Sequence, residues 1–446
     1  MSAKIIDVSA TGLALEPTQA ELNYPRGIRL SELVISHRGE TLFEGGGAVV
    51  YQTRARIGVR TDALIDLRAV QIREALEGRG LLQNLSMVRS QVTALQPEWR
   101  AAVADLANLL QNVRGALDEL EGETRGSEMN DPRSQERFLR DILNEWSELH
   151  LAKLRELYLL SKGFDEQQME LGRAYAETLL TPLYLYGALY NRAATKPRGY
   201  AGDYLTMLLF NQEAPVGDTL FEKFVDLASK QHSLSRTALT RQLSVTEKVL
   251  KCIEQGGRKI VSLASGAATE LAAVIEQLGE GSDTVEFILV DQDKDALAYS
   301  HDFLLGKVLE SGLSTSRIRI SCIHFSVRQM LKPQTGDEHE ILDQVLRGSD
   351  LIYSVGLLDY LPDQVASRLV HTLYQLLGPA GQLYVGNLVE AEDSTWLMDF
   401  VLAWHLVWRD AESMHGLTKH LHPEPKVLQV NMDATQKCLF LEIHAP

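Results

Sequence analysis

A strand, a tight turn of small residues and a helix start follow one another in IVSLASGAATEL, residues 260–271, and the next apolar run ends in the acid Asp291. Small residues in a turn let a ligand approach the backbone closely, and the helix behind it offers free N–H groups and a positive dipole end. An acid at the tip of the neighbouring strand can accept hydrogen bonds from ribose hydroxyls. The pattern therefore predicts a doubly wound α/β sheet that holds a nucleoside. The expected contacts are Ala264, Ser265, Gly266, Asp291 and Gln292.

The rest of this half of the chain continues the alternation of strands and helices. IRISCIHFSV (318–327) predicts a third strand, and residues 350–388 predict a strand, a helix, a Gly-Pro-Ala-Gly turn and a further strand. This order resembles the class I S-adenosylmethionine-dependent methyltransferases, over about residues 236–446. The resemblance implies S-adenosyl-L-methionine as cofactor and Asp291 as the acid that binds the ribose. The residues that it places beside the adenine are Phe325, Ser326 and Val327.

The turn departs from the family pattern at two positions. Glycine usually stands on both sides of the central glycine, but here these positions are Ala264 and Ala268, and Gly266 alone remains. An acid often found two residues before the motif is replaced by Ser262. We expect alanine to fit such a turn if φ stays negative, although its methyl group is added where the backbone meets the ligand. Either the turn binds the cofactor, or the fold has lost its ligand.

The segment 181–210, TPLYLYGALYNRAATKPRGYAGDYLTMLLF, combines many tyrosines with several cations. Pro197, Gly199 and Gly202 exclude a simple helix across its centre. Dense aromatics beside cations suit an anionic ligand with an apolar body. The stretches KPRGYAGDY, GLLDYLPDQVA and LYVGN resemble the bacterial methyltransferases that make the 3-hydroxypalmitic acid methyl ester signal. That resemblance implies an enzyme that O-methylates a fatty-acid-like carboxylate.

Three residues of this segment are catalytic candidates. Arg198, with Lys196, is expected to orient the carboxylate, and Tyr200, with Tyr204, to hold it by hydroxyl donation. Asp203 would repel a carboxylate, so it either binds the cofactor's amino group or fixes an arginine. No general base is needed, because a carboxylate is already ionised at neutral pH.

Two further candidates, Asp359 and Tyr360, follow the fourth predicted core strand, where this fold places substrate contacts. Asp359 has an alternative interpretation, since it could instead begin or cap the following helix. The C-terminal HLVWRD (405–410), with Trp396 and Trp404 nearby, is a candidate to close the acyl pocket, and the alternative for those tryptophans is packing in the core.

The N-terminal residues 4–61 alternate short strand-like runs with turns, which predicts a small antiparallel barrel or sandwich. Asp7, Ser9 and Gly12 form a D-x-S-x-x-G motif that resembles the later part of a PilZ domain, where it helps to bind cyclic di-GMP. That family also uses an upstream arginine pair, and none precedes Asp7 here. Either the chain starts late or the domain does not bind the nucleotide tightly. The alternative is a barrel kept for packing or dimerisation.

Between these regions, residues 62–180 predict a helical hairpin or coiled coil. Apolar residues alternate three- and four-residue steps, as in a heptad seam. The seam positions are Leu85, Val88, Val92, Leu95, Trp99, Ala102, Leu106, Leu109, Val113, Ala116 and Leu120. Pro97 is expected to end or kink a helix, residues 121–136 form a polar hinge, and a second helix covers 137–180. The seam pairs either within the chain or with a second copy, and we expect a homodimer with the helical segment between Leu81 and Leu120 as its main contact.

A chain of 446 residues is too long for one core. We therefore expect a multidomain protein with a partial PilZ-like β domain (1–61), a helical region (62–180), a substrate-side segment (181–235) and a methyltransferase domain (236–446). The net charge of −16 argues against a nucleic-acid partner. Three cysteines without metal-like spacing, no long apolar run and no secretion signal favour a cytoplasmic protein with neither metal nor membrane span. The competing hypothesis is a catalytically silent methyltransferase fold that serves as a signalling scaffold.

Overall fold

The computed structural model describes residues 4–9, 12–16, 24–37, 40–52, 56–65, 79–123, 131–279 and 283–446. The chain divides into two compact units, Met1–Ala94 and Leu95–Pro446. This division is coarser than the four segments expected from the sequence. Parts of the predicted D-x-S-x-x-G motif and of the polar hinge lie outside the described residues.

The first unit contains an antiparallel five-stranded sheet of order β1-β2-β5-β4-β3. Its elements are β1 (Lys4–Ser9), β2 (Gly12–Glu16), β3 (Arg29–His37), β4 (Glu40–Gln52), β5 (Ile57–Thr61) and helix α1 (Arg79–Ala94). Alternate residues such as Val49, Ile57 and Val59 fill one small core, as expected for a sheet with one buried face. The antiparallel strands agree with the alternation in the sequence. Among the described residues β1 and β3 are not paired, so a closed PilZ-like barrel is not confirmed.

The second unit begins with a run of helices. They are α2 (Pro97–Glu123), α3 (Pro132–Ser161), α4 (Glu166–Leu179), α5 (Thr181–Tyr184), α6 (Ala188–Thr195), α7 (Tyr204–Asn211), α8 (Leu220–Ser229) and α9 (Ser233–Glu254). The expected break at Pro97 is present, since α1 ends at Ala94 and α2 starts at the proline. The single helix expected over 137–180 was wrong. Asp165 and Gln168 form a capping box, which starts a new helix after Ser161.

Part of the predicted heptad seam faces this chain's own core. Trp99 and Leu106 are fully buried, in a cluster that includes Trp396 from far along the chain. By contrast, Leu85 and Val92 of α1 are 57% and 51% exposed. The buried part of the seam is therefore intrachain packing, and a coiled-coil middle is not confirmed.

A seven-stranded mixed sheet follows, of order β11-β12-β10-β9-β6-β7-β8. The strands are β6 (Lys259–Leu263), β7 (Val285–Asp291), β8 (Ile318–His324), β9 (Ser349–Val355), β10 (Leu377–Leu388), β11 (Val427–Met432) and β12 (Cys438–His444). The intervening helices are α10 (Thr269–Gln277), α11 (Lys294–Glu310), α12 (Val327–Leu331), α13 (Gly336–Glu340), α14 (Asp363–Gln375), α15 (Thr395–Phe400) and α16 (Ala411–Gly416), with a π-helical turn at Ile341–Leu346 and a 3₁₀ turn at Leu358–Tyr360.

Helices cover both faces of this sheet, because its central strands are apolar on both sides. Ile260 and Phe287 belong to one buried cluster, whereas their neighbours Val261 and Ile288 belong to another. Strands β6 to β10 pair in parallel, and β12 pairs antiparallel with β10 and β11. The strand order reverses between β6 and β9, which is where doubly wound sheets place their ligand crevice. This mixed sheet with its helices is a doubly wound α/β fold, as the sequence predicted.

Candidate functional site

The turn after β6 is built from left-handed residues. Ala264, Gly266 and Ala268 have φ values of 56°, 53° and 51°. The Ala264 N–H donates to the carbonyl of Val290 on β7 at 2.8 Å, which anchors the turn to the neighbouring strand. The condition under which alanine was expected to fit the turn, a negative φ, is therefore not met at Ala264 or Ala268. Each alanine pays about 1–2 kcal/mol for a conformation that glycine adopts freely.

Asp291 lies at the end of β7 and is 6% exposed. Its Oδ2 accepts the N–H of Gly266 at 2.9 Å, and its Oδ1 accepts the N–H of Asp293 at 2.9 Å. Burial raises the pKa of Asp291, while the backbone donors oppose that shift. A carboxylate oxygen accepts about two hydrogen bonds. Each oxygen therefore keeps capacity for a ligand hydroxyl.

These residues border a cavity of about 380 Å³. The sequence-predicted contact residues that line it are Tyr200, Tyr204, Ala264, Ser265, Gly266, Asp291, Gln292, Phe325, Ser326, Val327, Asp359 and Tyr360. Ser265 supplies an unsatisfied group, because its buried Oγ has no hydrogen-bond partner among the described residues. Buried polar atoms are normally paired, so the hydroxyl is available to a ligand. Ser326 caps α12 through a capping box with Gln329, which fixes the wall opposite the turn.

Arg198 and Asp203 are not among the residues that line the cavity. Arg198 donates from Nε and Nη2 to Asp293 at 2.5 and 2.6 Å, and from Nη2 to Asp295 at 2.5 Å. The hydrogen bonds to Asp293 and then Asp295 raise the pKa of Arg198. This arginine therefore ties the aromatic segment to the start of α11. The Nζ of Lys196 likewise donates to the carbonyl of Ala403 at 2.5 Å.

Asp203 is completely buried and binds Arg192 through both oxygens, at 2.8 and 2.6 Å. It also accepts the N–H of Thr206 at 2.9 Å and so caps α7. Fixing an arginine was one of the two roles that the sequence left open for this acid. Bidentate pairing of this kind is specific in geometry, so it orients the loop before α7.

Asp359 and Tyr360 lie in the 3₁₀ turn after β9, and both contact the cavity. The Leu388 N–H donates to Asp359 Oδ1 at 2.6 Å, and burial raises the pKa of Asp359. The Tyr360 hydroxyl accepts from Trp404 Nε1 at 2.9 Å. Gly202 makes this approach possible, since a Cβ there would lie 2.6 Å from the Tyr360 oxygen. The KPRGYAGDY stretch and the turn after β9 thus meet at one wall.

Arg409 holds this wall in place. It is 3% exposed, and its Nη1 donates to the Leu358 carbonyl at 2.8 Å and to Asn387 Oδ1 at 2.6 Å. Its Nη2 donates to Asp363 at 2.9 Å. The arginine of HLVWRD therefore clamps the turn after β9 to the end of β10. The sequence predicted that the HLVWRD stretch closes the acyl pocket, but gave this arginine no separate role.

Two charged residues of the cavity wall were also missed. Glu270, in the first turn of α10, accepts the Tyr353 hydroxyl at 2.7 Å, and burial raises its pKa. Arg241, on α9, has Met207 Sδ at 3.8 Å as a hydrogen-bond partner, and, against the larger effect of burial, its charge lowers the pKa values of Glu270 and Asp359. Glu270 belongs to the IVSLASGAATEL stretch but was given no role there, whereas Arg241 stands in no motif singled out in the sequence. An acid at a helix start is also an ordinary feature, since it complements the helix dipole.

No family model matches the sequence. No curated protein matches it either. Among solved structures, a possible exported protein from Bordetella parapertussis is 17% identical over 67% of this chain and 97% of its own, with a TM-score of 0.40. The apo form of the S-adenosylmethionine-dependent methyltransferase SibL is 14% identical over 78% of this chain and 96% of its own, with a TM-score of 0.36.

A third neighbour is the magnesium protoporphyrin IX methyltransferase from Synechocystis PCC 6803 with bound S-adenosylhomocysteine. It is 10% identical over 47% of this chain and 84% of its own, with a TM-score of 0.34. Likeness at this level assigns no activity, so the chemistry of the site is argued from its own residues.

Within the described ranges, no group of three or more His, Cys, Asp or Glu side chains is arranged to hold a metal ion. In the part of the chain that the structure describes, no helix combines the length and the apolar character that a membrane span requires.

Proposed function

We propose that the protein is an S-adenosylmethionine-dependent methyltransferase that converts a fatty-acid-like carboxylate to its methyl ester, as a step in bacterial signalling. One observation carries this proposal. The motif turn with Asp291 and the aromatic wall of Tyr200, Tyr360 and Trp404 line the same cavity. A nucleoside donor and an apolar acceptor would therefore meet in one enclosed space.

The residues of the turn suit the donor. Asp291 has free acceptor capacity for the ribose hydroxyls, and the orphaned Ser265 hydroxyl is a further polar partner. Gly266 leaves open space, because the nearest atom to an added Cβ, in Tyr204, would lie 3.9 Å away. When bound, S-adenosylmethionine supplies an electrophilic methyl group on a sulfonium. Phe325 beside Ser326 offers an apolar surface for the adenine.

The aromatic wall suits the acceptor. The Tyr360 hydroxyl accepts from Trp404, so its own O–H is free to donate to a carboxylate. Burial raises the pKa of Tyr360, which keeps the phenol protonated. Because the acceptor is already ionised and the sulfonium charge disappears during transfer, the site need only position the carboxylate and exclude water. Arg198 and Asp203 support this wall without entering the cavity, as positioning residues.

The test is mass spectrometry of methylated products from a panel of 3-hydroxy fatty acids, plain fatty acids, amines and a peptide. We expect methyl esters of long-chain acids. Tyr360→Phe should slow ester formation about tenfold or more, since one hydrogen bond to a charged group is lost. Tyr374→Phe is the matched control, because Tyr374 donates to the Pro423 carbonyl and does not line the cavity. Methylation of amines alone would refute the carboxylate acceptor.

A catalytically silent scaffold is the second candidate. It is favoured by the left-handed Ala264, whose methyl belongs to the cavity wall where the motif usually has glycine. In that case neither S-adenosylmethionine nor S-adenosylhomocysteine should bind. A protein that binds both but methylates nothing in the panel would retain the cofactor proposal and lose the acceptor proposal.

A further inference from the structure

Two opposite charges line the cavity without being paired to each other. The Tyr353 hydroxyl donates to Glu270 at 2.7 Å, and Arg241 is near enough to lower the pKa of Glu270, against the larger effect of burial, without forming a salt bridge with it. Charged groups in a partly enclosed site are costly unless each meets a partner of opposite charge. Among the described residues, Arg241 balances Glu270 without a salt bridge, and both residues line the cavity.

Both side chains are held on rigid elements around the motif turn. The Thr246 hydroxyl, on the same helix as Arg241, donates to the Glu270 carbonyl at 3.1 Å, which joins α9 to the start of α10. A Cβ added at Gly356, just after β9, would lie 3.3 Å from Nη2 of Arg241. Arg241 therefore lies against the carboxyl end of β9, and Glu270 lies directly after the turn.

We infer that Glu270 and Arg241 bind the zwitterionic amino-acid end of the S-adenosyl ligand, Glu270 receiving its ammonium group and Arg241 its carboxylate. This inference rests on the proposed cofactor. The acid that the family often carries two residues before the motif is Ser262 here, so Glu270 supplies the missing negative charge from the other side of the turn. A guanidinium suits the carboxylate because it donates two parallel hydrogen bonds.

Another acid faces the same arginine and defines the competing assignment. Arg241 lowers the pKa of Asp359, against the larger effect of burial, so the two lie within electrostatic reach. Asp359 already accepts the Leu388 N–H and stands on the acceptor wall. In this competing assignment, Arg241 binds the carboxylate of the acceptor instead of the carboxylate of the donor. The experiment separates these two roles.

Calorimetry with two ligands tests the inference without requiring turnover. S-adenosylhomocysteine carries the amino-acid end, and 5′-methylthioadenosine is the same nucleoside thioether without it. Glu270→Gln and Arg241→Gln should each weaken the affinity for S-adenosylhomocysteine about ten- to hundredfold, which is the effect of a lost charge-assisted hydrogen bond. Their affinity for methylthioadenosine should change by less than about threefold. Arg241→Lys should fall between, because a point charge keeps attraction but not bidentate geometry.

Controls on the same helices are Arg236→Gln, whose exposed side chain donates to Gln231, and Glu276→Gln, whose surface carboxylate pairs with Lys307. Both should bind the two ligands as the unaltered protein does. Circular dichroism melts verify that each variant is folded.

Several results would overturn the inference. Equal affinity of the unaltered protein for both ligands would show that the amino-acid end is not recognised, while the cofactor proposal would stand. Parallel loss of both ligands in the variants would indicate a collapsed site. An Arg241→Gln variant that raises the KM for the acceptor and leaves S-adenosylhomocysteine affinity unchanged would assign the arginine to the acceptor. If neither ligand binds the unaltered protein, the proposed function and this inference fail together.

Discussion

Replacing Ala264 with glycine should stabilise the second unit, although glycine substitutions usually destabilise. A left-handed alanine costs about 1–2 kcal/mol. Against this gain, glycine raises the entropy of the unfolded chain, which lowers the stability by about 0.4–1 kcal/mol. Little methyl burial is lost, because Ala264 is only half-buried. We therefore expect Ala264→Gly to raise the free energy of unfolding by about 0.5 kcal/mol.

Ala267→Gly is the matched comparison. Ala267 is 4% exposed and is not one of the left-handed residues. The Ala267→Gly substitution relieves no strain, raises the entropy of the unfolded chain by the same amount and removes about 0.8 kcal/mol of methyl burial. It should therefore lower the free energy of unfolding by about 1.5 kcal/mol. The two alanines stand three residues apart, yet their glycine variants should differ by about 2 kcal/mol.

Urea denaturation followed by tryptophan fluorescence measures this difference in the relevant unit, since all 5 tryptophans of the chain lie beyond Leu95. S-adenosylhomocysteine affinity should be equal or higher in Ala264→Gly, because a methyl group leaves the cavity wall. If both variants destabilise equally, the turn is not strained, and the physical account of the altered motif is wrong.

Three further predictions concern other parts of the molecule. Burial alone would raise the pKa of Glu442, but hydrogen bonds, first of all that from Lys248, lower it to about 2. The ionised Glu442 should therefore stabilise the fold above about pH 4.5, and this contribution should vanish as the pH falls towards 2. Glu442→Gln should flatten that part of the curve of stability against pH. We expect a homodimer that forms through the exposed apolar face of α1. The double variant Leu85→Glu with Val92→Glu should therefore sediment as a monomer. If the unaltered protein is itself a monomer at tens of micromolar, the predicted dimer is excluded. Cyclic di-GMP should not bind with sub-micromolar affinity, as calorimetry would show, because the D-x-S-x-x-G motif itself supplies no guanidinium to bind the phosphates.

The mixed sheet could be predicted because its signal is local. Apolar runs such as EFILVD are buried on both faces in parallel strands, and small residues after IVSL predict the tight turn. The start of α4 was also readable, since Asp165 and Gln168 have the spacing of a capping box. The prediction of one helix over residues 137–180 did not take this capping-box spacing into account.

The partners of side chains could not be predicted, because they depend on contacts distant in sequence. Arg198 pairs with Asp293, 95 residues away, and so does not enter the cavity. Arg241 stands on an ordinary amphipathic helix and becomes notable only where α9 meets the end of β9. Heptad periodicity likewise shows that Leu106 needs a partner but not that its partners belong to the same chain.

The central claim is that the cavity beside Asp291 binds an S-adenosyl ligand, and equilibrium titration with S-adenosylhomocysteine tests it most directly. We predict saturable one-to-one binding that Asp291→Ala weakens by about 1–3 kcal/mol, the value of a lost charge-assisted hydrogen bond. Asp302→Ala, on the exposed side of α11, is the control and should bind normally. No binding at millimolar ligand, or identical affinity in the Asp291 variant, would contradict the account.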